Sequence, residues 1–159
     1  LASGIADIVK YRKLGLTVGL GTDGSGSTNT LDMFEEMKVA SYMQKVLHKK
    51  ASCIQAKEIL EMATIEGAKV LGLEKEIGTL EVGKKADMIL INLQKPHLQP
   101  IHDIYSCLVY SATGQDVDTT IVDGKIIMQN RELKGIDEKY LIEKCNEIKD
   151  QYFKKDSVK

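Results

Sequence analysis

The sequence has 159 residues, of which 43% are hydrophobic and 28% are charged, and this composition is typical of one ordinary folded domain. It excludes collagen, a disordered tail and a disulfide mini-protein. The 22 Lys and Arg residues nearly balance the 23 Asp and Glu residues, for a net charge of -1, so we expect no nucleic-acid partner. No apolar run approaches the roughly 20 residues that a membrane helix needs, and we expect no membrane partner.

Cysteine usage and the N-terminal residues bear on the compartment. The chain starts without the basic residues and apolar centre of a secretory signal, and its three cysteines are far apart, with no C-x-x-C pair. These features predict a cytoplasmic location. Because the sequence begins with Leu1 rather than Met, we expect it to be a piece of a longer protein.

The first third of the chain predicts a helix, a strand and a polar loop. Apolar residues in 5–14 indicate a short amphipathic helix that ends at Gly15. Residues 16–20 then read as a buried strand. Residues 21–30 are almost all Gly, Ser, Thr, Asn and Asp, which predicts an exposed loop at the carboxyl end of that strand.

Helices are predicted next. Residues 31–50 show apolar side chains at helical spacing, and a Met-rich stripe is expected to face the core. Asp32 with Glu35, and Ser52 with Gln55, have the spacing of capping pairs at helix starts. The second pair opens a helical stretch that ends near Gly72.

The second half predicts short strands and two more helices. Residues 78–83 indicate a turn and a short strand, residues 86–93 a buried strand and residues 103–112 a short helix. Asp123-Gly124 between two apolar runs, 117–122 and 125–129, predicts a β-hairpin. Beyond Gly135 an amphipathic terminal helix is expected.

Asp23 is the first candidate for chemistry. Parallel α/β folds place their active sites at the carboxyl ends of strands, and Asp23 follows the predicted strand 16–20 by three residues. The alternative is a turn-forming Asp flanked by glycines. Ser25, Ser27 and Asn29 share the loop; no base for a nucleophilic Ser is identifiable, so these side chains are interpreted as hydrogen-bonding groups.

Two other site types are disfavoured. Gly19, Gly21 and Gly24 match G-x-G-x-x-G, but the loop continues past Gly24 where a dinucleotide site would need a helix to begin. The three histidines, His48, His97 and His102, lack a zinc-ligand spacing and are interpreted as solvated loop or helix-end residues.

Six stretches, in this order and spacing, resemble the metal-dependent amidohydrolase superfamily. They are LTVGLGTDG at 16–24, LDMFEEM at 31–37, ATIEGA at 63–68, GKKAD at 83–87, PIHD at 100–103 and VYSATG at 109–114. Within that superfamily the sequence is most similar to the 5-methylthioadenosine/S-adenosylhomocysteine deaminases, which are related to chlorotriazine hydrolases. The resemblance covers nearly the whole chain but only the C-terminal portion of such an enzyme.

The resemblance implies an α/β fold: the C-terminal part of a (β/α)8 barrel with the C-terminal strands of a small β-sandwich. Residues 1–75 would supply the last barrel strand and its flanking helices, residues 76–135 the sandwich part with a short helix and the hairpin, and residues 136–159 the C-terminal helix. Asp23 matches the family's Asp that closes the eighth strand. It would be a metal ligand, a substrate contact and the proton acceptor, while Ser25, Ser27 and Asn29 would help bind substrate.

The implied reaction is deamination of a purine nucleoside by attack of metal-bound hydroxide, with zinc as the expected ion and iron as the alternative. The family's histidine ligands and its proton-shuttling glutamate are absent from this chain, so the isolated chain is expected to be inactive and to bind metal weakly. The partners would be a small nucleoside and either the missing N-terminal part or further copies of the chain. A chlorotriazine or other amino-heterocycle hydrolase, and a non-catalytic or split-enzyme module, remain alternatives.

Overall fold

The structure, a computed structural model, describes residues 3–156, with side chains through Phe153. Outside the described residues lie 1–2, the start of the predicted segment 1–75, and 157–159, the end of the predicted segment 136–159. The helices are α1 (Ile8–Lys13), α2 (Met33–His48), α3 (Ala56–Ala63), α4 (Ile65–Val70), α5 (Ile104–Ser106) and α6 (Glu138–Asp156). The strands are β1 (Met88–Ile91), β2 (Val117–Val122), β3 (Lys125–Gln129) and β4 (Glu132–Leu133). No helix among residues 3–156 has the length and apolarity of a membrane span.

The four strands form one antiparallel sheet in the order β1-β2-β3-β4. The predicted hairpin between β2 and β3 is confirmed, because Asp123 (φ 49°) and Gly124 (φ 74°) both adopt the left-handed conformation that a tight turn requires. Val117 and Met128 are part of the hydrophobic core, and Thr119 is also buried.

The core lies between α2, α3, the sheet and the short helical segment that follows α5. In that segment α5 runs directly into a π-helical turn, Cys107–Ser111, within the predicted helix 103–112. The side chains of Ile59, Met62 and Val109 are completely buried. Large aliphatic residues of α3 therefore fix the position of the chain segments that precede and follow it.

Two predicted strands do not form. Residues 16–20 form no regular secondary structure and belong to no sheet, and their Leu20 N–H donates to the Met62 carbonyl of α3 at 3.0 Å. An extended segment becomes a strand only beside another strand, and no described strand lies along this one. Residues 78–83 form turns, with left-handed Gly78 (φ 94°) and Gly83 (φ 96°).

The helical predictions need three corrections. The stretch 52–72 contains two helices that meet at Thr64, whose φ of -128° and ψ of -99° are not helical. The N-cap of α3 is Gln55 rather than Ser52, and the Glu58 carboxylate accepts from the Gln55 N–H at 2.8 Å. The first helix begins only at Ile8, after Asp7 accepts from the Lys10 N–H at 2.9 Å.

The predicted Met-rich stripe of α2 is buried only in part. Phe34, Met37, Ser41 and Gln44 are buried, whereas Met43 and Leu47 are each 42% exposed. Gln44 turns inward because the start of α1 needs partners: its Oε1 accepts from the Val9 N–H at 3.3 Å and its Nε2 donates to the Ala6 carbonyl at 2.8 Å. A buried polar side chain of α2 thus satisfies backbone groups at the start of α1.

Candidate functional site

The segment that leads to Asp23, residues 16–20, lies directly against α4. An ideal Cβ placed on Gly19 would be 2.9 Å from the Gly67 Cα, which is closer than a real Cβ approaches another atom. Only a glycine at position 19 therefore allows this approach without a shift of the backbone. Together with the Leu20–Met62 hydrogen bond, this glycine–glycine contact fixes the upstream end of the polar loop. The loop therefore begins from a defined position.

Asp23 is exposed, and its backbone is left-handed with φ of 58°. One carboxylate oxygen, Oδ1, accepts from the Gly24 N–H at 2.6 Å, and the second oxygen takes no part in that bond. Asp, with a short polar side chain that bonds locally, tolerates this conformation better than most residues. The carboxylate is thus oriented by its own loop and is open to solvent.

The other candidate residues lie on the same loop. Ser25, Ser27 and Asn29 are all exposed, and the Gly24 carbonyl accepts from the Ser27 N–H at 2.8 Å to form a tight turn between them. No helix begins at Gly24, since α2 starts at Met33. The loop therefore lacks the helix N-terminus that a dinucleotide fingerprint requires, as predicted.

The downstream end of the loop is attached to two elements. Asp32 is the N-cap of α2, as predicted, and its Oδ1 accepts from the Phe34 N–H at 2.9 Å. Its Oδ2 accepts from the Gly114 N–H at 2.9 Å, a long-range contact that the capping pattern did not reveal. Glu35 does not complete a capping box; it accepts from the Thr30 hydroxyl at 2.6 Å.

A buried carboxylate, Asp116, lies beside that attachment and was missed by sequence reasoning. Asp116 is 1% exposed and accepts from Lys95 Nζ at 2.9 Å, from His97 Nε2 at 3.1 Å and from the Thr113 N–H at 2.9 Å. Burial alone would raise the pKa of its carboxyl, but the hydrogen bonds from Lys95, His97 and Thr113 outweigh burial and hold that pKa well below its usual value. No local motif predicted this cluster, because its members come from two separate segments.

Two of the histidines are paired with carboxylates. His97 is exposed, as predicted, and it also contacts Asp116. His48 is the last residue of α2, as predicted, and its Nε2 lies 2.8 Å from Asp7 Oδ1. The hydrogen bond from the Lys10 N–H, reinforced by His48, holds the pKa of the Asp7 carboxyl below its usual value.

Among the described residues, Asp23 alone is a candidate ligand for a metal ion at this loop. Among residues 3–156, no group of three or more His, Cys, Asp or Glu side chains is placed to hold an ion. Asp23 offers an exposed carboxylate oxygen, which is a suitable ligand for a divalent cation, whereas a catalytic zinc needs about three protein ligands. The remaining ligands of any such site would have to come from outside this part of the chain.

Comparison with known proteins gives the family. A sequence profile of the amidohydrolase family matches residues 1–127. The 5-methylthioadenosine/S-adenosylhomocysteine deaminase of Caldanaerobacter subterraneus subsp. tengcongensis is 55% identical over 137 residues, which is 86% of this chain and 32% of that protein. The 5'-deoxyadenosine deaminase of Methanosarcina acetivorans is 52% identical over 145 residues, 91% of this chain and 33% of that protein.

Solved structures agree with these relatives. A zinc-bound adenosine deaminase from Xanthomonas campestris superposes with a TM-score of 0.91 at 34% identity, covering 95% of this chain and 34% of the other. A variant of atrazine chlorohydrolase from Arthrobacter aurescens, complexed with zinc and atraton, gives a TM-score of 0.81 at 26% identity, covering 89% of this chain and 31% of the other. The chain thus spans about a third of the length of the proteins it matches.

These matches confirm the resemblance seen in the sequence, including the likeness to nucleoside deaminases and the more distant likeness to triazine hydrolases. They also confirm the fold class, a partial α/β unit of an amidohydrolase barrel with a small antiparallel sheet. Helix α6, at Glu138–Asp156, follows the part that the family profile matches. The chain belongs to the amidohydrolase family.

Proposed function

We propose that the complete protein containing this chain is a metal-dependent deaminase of purine nucleosides of the 5-methylthioadenosine and S-adenosylhomocysteine type. The chain would supply the C-terminal third of that enzyme. The observation that supports this most directly is an exposed, left-handed Asp23 that follows the predicted strand 16–20, in a chain about half identical to proteins named as such deaminases. Cytoplasmic location remains part of the same proposal.

The domain assignment follows from this reading. Residues 1–75 would form the last barrel strand with flanking helices, residues 76–135 a part of the β-sandwich, and residues 136–159 a C-terminal helix. In a complete barrel, residues 16–20 would gain strand neighbours on both edges, and here they form no sheet. The N-terminal part of the protein would complete the barrel, and further copies of the chain would form a homo-oligomer.

Asp23 would be both a metal ligand and the proton acceptor. Zinc is the expected ion, with iron as the alternative, and a bound divalent cation would supply the acidity that deprotonates water near neutral pH. The Asp23 carboxylate would take the proton of the attacking water. Since Oδ1 is oriented by the Gly24 N–H, the loop itself would fix the direction of the second oxygen.

The overall reaction replaces an exocyclic amino group by oxygen. Water would add to the purine carbon that bears the amino group, the proton would pass through Asp23 to the departing nitrogen, and ammonia would leave. Atoms balance as nucleoside plus water giving the oxo-purine nucleoside plus ammonia. Ser25, Ser27 and Asn29 would contribute hydrogen bonds to the substrate from the same exposed loop.

A second candidate substrate class is the chlorotriazines or another amino-heterocycle. The structural likeness to atrazine chlorohydrolase, with a TM-score of 0.81, favours this alternative, but that likeness has 26% identity. The nucleoside deaminases reach 55% identity. We therefore place purine nucleosides first.

The test uses the complete protein and the substitution Asp23→Asn. Purified wild-type protein is mixed with 5-methylthioadenosine, S-adenosylhomocysteine or atrazine, and ammonia or chloride release is measured together with bound zinc and iron. We expect ammonia from the nucleosides and a loss of roughly 1000-fold or more in kcat for Asp23→Asn, because loss of a single catalytic side chain has effects of this size. Chloride release from atrazine without nucleoside deamination would favour the second candidate.

Asp123→Asn is the matched control. Asp123 is also an exposed, left-handed Asp followed by Gly, but it lies in the β2–β3 hairpin. We expect its substitution to leave activity and metal content unchanged. Full activity of Asp23→Asn would contradict the proposal, and so would enzymatic deamination by the isolated 159-residue chain, because that chain would then need no outside ligands.

A further inference from the structure

We infer that Asp32, paired with Gly114, is a positioning residue that fixes the downstream end of the loop bearing Asp23. This inference rests on the proposed function for its consequence in catalysis, but its structural content concerns the described contacts alone. Asp32 is not proposed to contact the substrate, the metal or Asp23. It would act through the loop that it anchors.

Asp32 uses its two carboxylate oxygens on two different elements. Oδ1 accepts from the Phe34 N–H at 2.9 Å and caps α2, while Oδ2 accepts from the Gly114 N–H at 2.9 Å. A cap alone needs only one acceptor. The second oxygen therefore connects the end of the loop to a segment 82 residues further along the chain.

Gly114 makes this approach possible. A Cβ on Gly114 would lie 2.9 Å from Asp32 Oδ2 and 3.2 Å from Asp32 Cγ. Those atoms are the end of a movable side chain, so an added methyl group would turn the carboxylate away rather than prevent folding. A glycine at this position thus allows the carboxylate to bond the backbone from the side that a side chain would occupy.

The segment that receives Asp32 is held on both sides. The Gly114 carbonyl accepts from Arg131 Nη1 at 3.0 Å, and Thr113 donates both its N–H and its hydroxyl to the buried Asp116. Lys95 adds a hydrogen bond at 2.9 Å to the same carboxylate. Asp32 is consequently joined to one of the most highly connected polar clusters in the described part of the chain.

With this contact, the loop is fixed at both ends. Its upstream end is held by the Leu20–Met62 hydrogen bond and the Gly19–Gly67 contact, and its downstream end by Asp32. Shortening the free span reduces the number of conformations open to Asp23. Because catalysis depends on the position of reacting groups to within about 1 Å, we expect the rate to depend on this anchor.

The experiment separates anchoring from capping. In Asp32→Ser the hydroxyl can still cap α2, since Ser is as good an N-cap as Asp, but the shorter side chain cannot also reach Gly114. Gly114→Ala breaks the same contact from the other side and leaves Asp32 in place. Asp7→Ser is the matched control, because Asp7 also caps a helix and also contacts a second element, His48.

Hydrogen–deuterium exchange and steady-state kinetics are measured on the complete protein. We expect exchange at the Ser27 and Thr28 amides to be about tenfold faster in Asp32→Ser and Gly114→Ala and unchanged in Asp7→Ser, with β2–β3 amides protected in all three. We expect kcat for the best substrate to fall roughly 10- to 100-fold in the first two variants, with KM changed less than threefold.

Loop exchange within twofold of wild type in both Asp32→Ser and Gly114→Ala would overturn the inference, even if Asp23→Asn is inactive. Faster exchange throughout the protein in both variants would also overturn it, because Asp32 would then have only a general structural role. If instead Asp23→Asn is fully active, the proposed function fails while the exchange data still decide whether Asp32 anchors the loop.

Discussion

The sheet region and the segment that bears Asp23 differ in where their hydrogen-bond partners come from. In residues 88–133 each strand pairs with another strand of the same chain, and a buried ionic cluster supports the turn before β2. In residues 16–30 the backbone forms no helix or strand, the Leu20 amide bonds to α3, and most of the loop is exposed. The sheet region thus has its pairing partners within this chain, whereas residues 16–30 pair with no strand among the described residues.

This difference separates a paired sheet and a packed core from a loop with few long-range contacts. The buried residues of the helices and the sheet form one hydrophobic cluster, which Leu20 contacts before the loop and which includes Phe34 after it. Asp23 lies on the loop, and no group of three or more His, Cys, Asp or Glu side chains among residues 3–156 is placed to hold an ion. Variants that weaken each region in turn test this division.

The largest effect on stability is expected for Asp116→Asn in the sheet region, residues 88–133. The change removes the buried negative charge that pairs with Lys95 and His97. It also replaces one of the two accepting oxygens by an amide NH2 group, which cannot accept. We expect the free energy of unfolding to fall by about 2–3 kcal/mol, because hydrogen bonds to charged groups contribute about 1.5–3 kcal/mol. Chemical denaturation monitored by circular dichroism measures it.

Asp118→Asn is the control for that substitution. Asp118 lies two residues away, and its carboxylate accepts from the neutral Thr119 hydroxyl at 2.8 Å. We expect a loss below about 0.5 kcal/mol, as for most substitutions away from buried networks. Equal losses for the two variants would show that the cluster around Asp116 adds no special stability.

Gly19→Ala weakens the other region. The added Cβ would be 2.9 Å from the Gly67 Cα, and backbone atoms on both sides would have to move apart. We expect a loss of about 1–3 kcal/mol, the usual cost of overpacking, together with a shift of the loop that starts at Gly21. Denaturation measures the loss, and proteolysis within residues 21–30 reports the shift.

Gly21→Ala provides the comparison, because a Cβ at Gly21 would have no atom within 4 Å. We expect a change of less than about 0.5 kcal/mol. If both glycine variants behaved alike, the close approach to α4 would not determine where the loop begins.

Sequence patterns predicted the local features well. Asp123-Gly124 identified the hairpin because the two residues themselves favour left-handed φ values. Asp32 identified the start of α2 because a side-chain oxygen at the N-cap is a local interaction. The composition of residues 21–30 was sufficient to predict an exposed loop, and Asp23 is exposed in it.

Long-range contacts were not predictable in this way. Residues 16–20 have the pattern of a strand, but strand formation depends on neighbours that a local pattern does not contain. The α2 face was predicted only in part, because Gln44 is buried to satisfy Val9 and Ala6, which lie more than thirty residues away. Asp116 and Gly114 likewise derive their importance from partners in other segments.

The Asp116 cluster should also make stability depend on pH. Burial raises the pKa of this carboxyl, but hydrogen bonds from Lys95, His97 and Thr113 lower it by a larger amount. The pKa in the folded protein therefore lies below the ordinary value of 3.8. Its stabilising contribution is therefore complete above about pH 4 and is lost as the pH falls through the folded pKa. Below pH 3.8 we expect a slope of up to about 1.4 kcal/mol per pH unit from this group.

Denaturation between pH 5 and 2 compares wild type with Asp116→Asn. The variant has no carboxyl to titrate at this position, so its stability should fall less steeply with decreasing pH. Parallel curves for the two proteins would mean that other carboxylates, such as Asp7 and Asp103, whose pKa values are also lowered, account for the acid sensitivity.

The smallest effect is expected for Gly124→Ala in the hairpin. Gly124 has φ of 74°, so a Cβ would be strained even though open space surrounds it. We expect a loss of about 1 kcal/mol, since a left-handed conformation costs an L-residue roughly 1–2 kcal/mol. Gly26→Ala, also in open space but without a positive φ, should change stability by less than 0.5 kcal/mol. An equal loss in both variants would show that the positive φ of Gly124 is not its cause, and the hairpin would then owe its stability to pairing between β2 and β3 rather than to its turn.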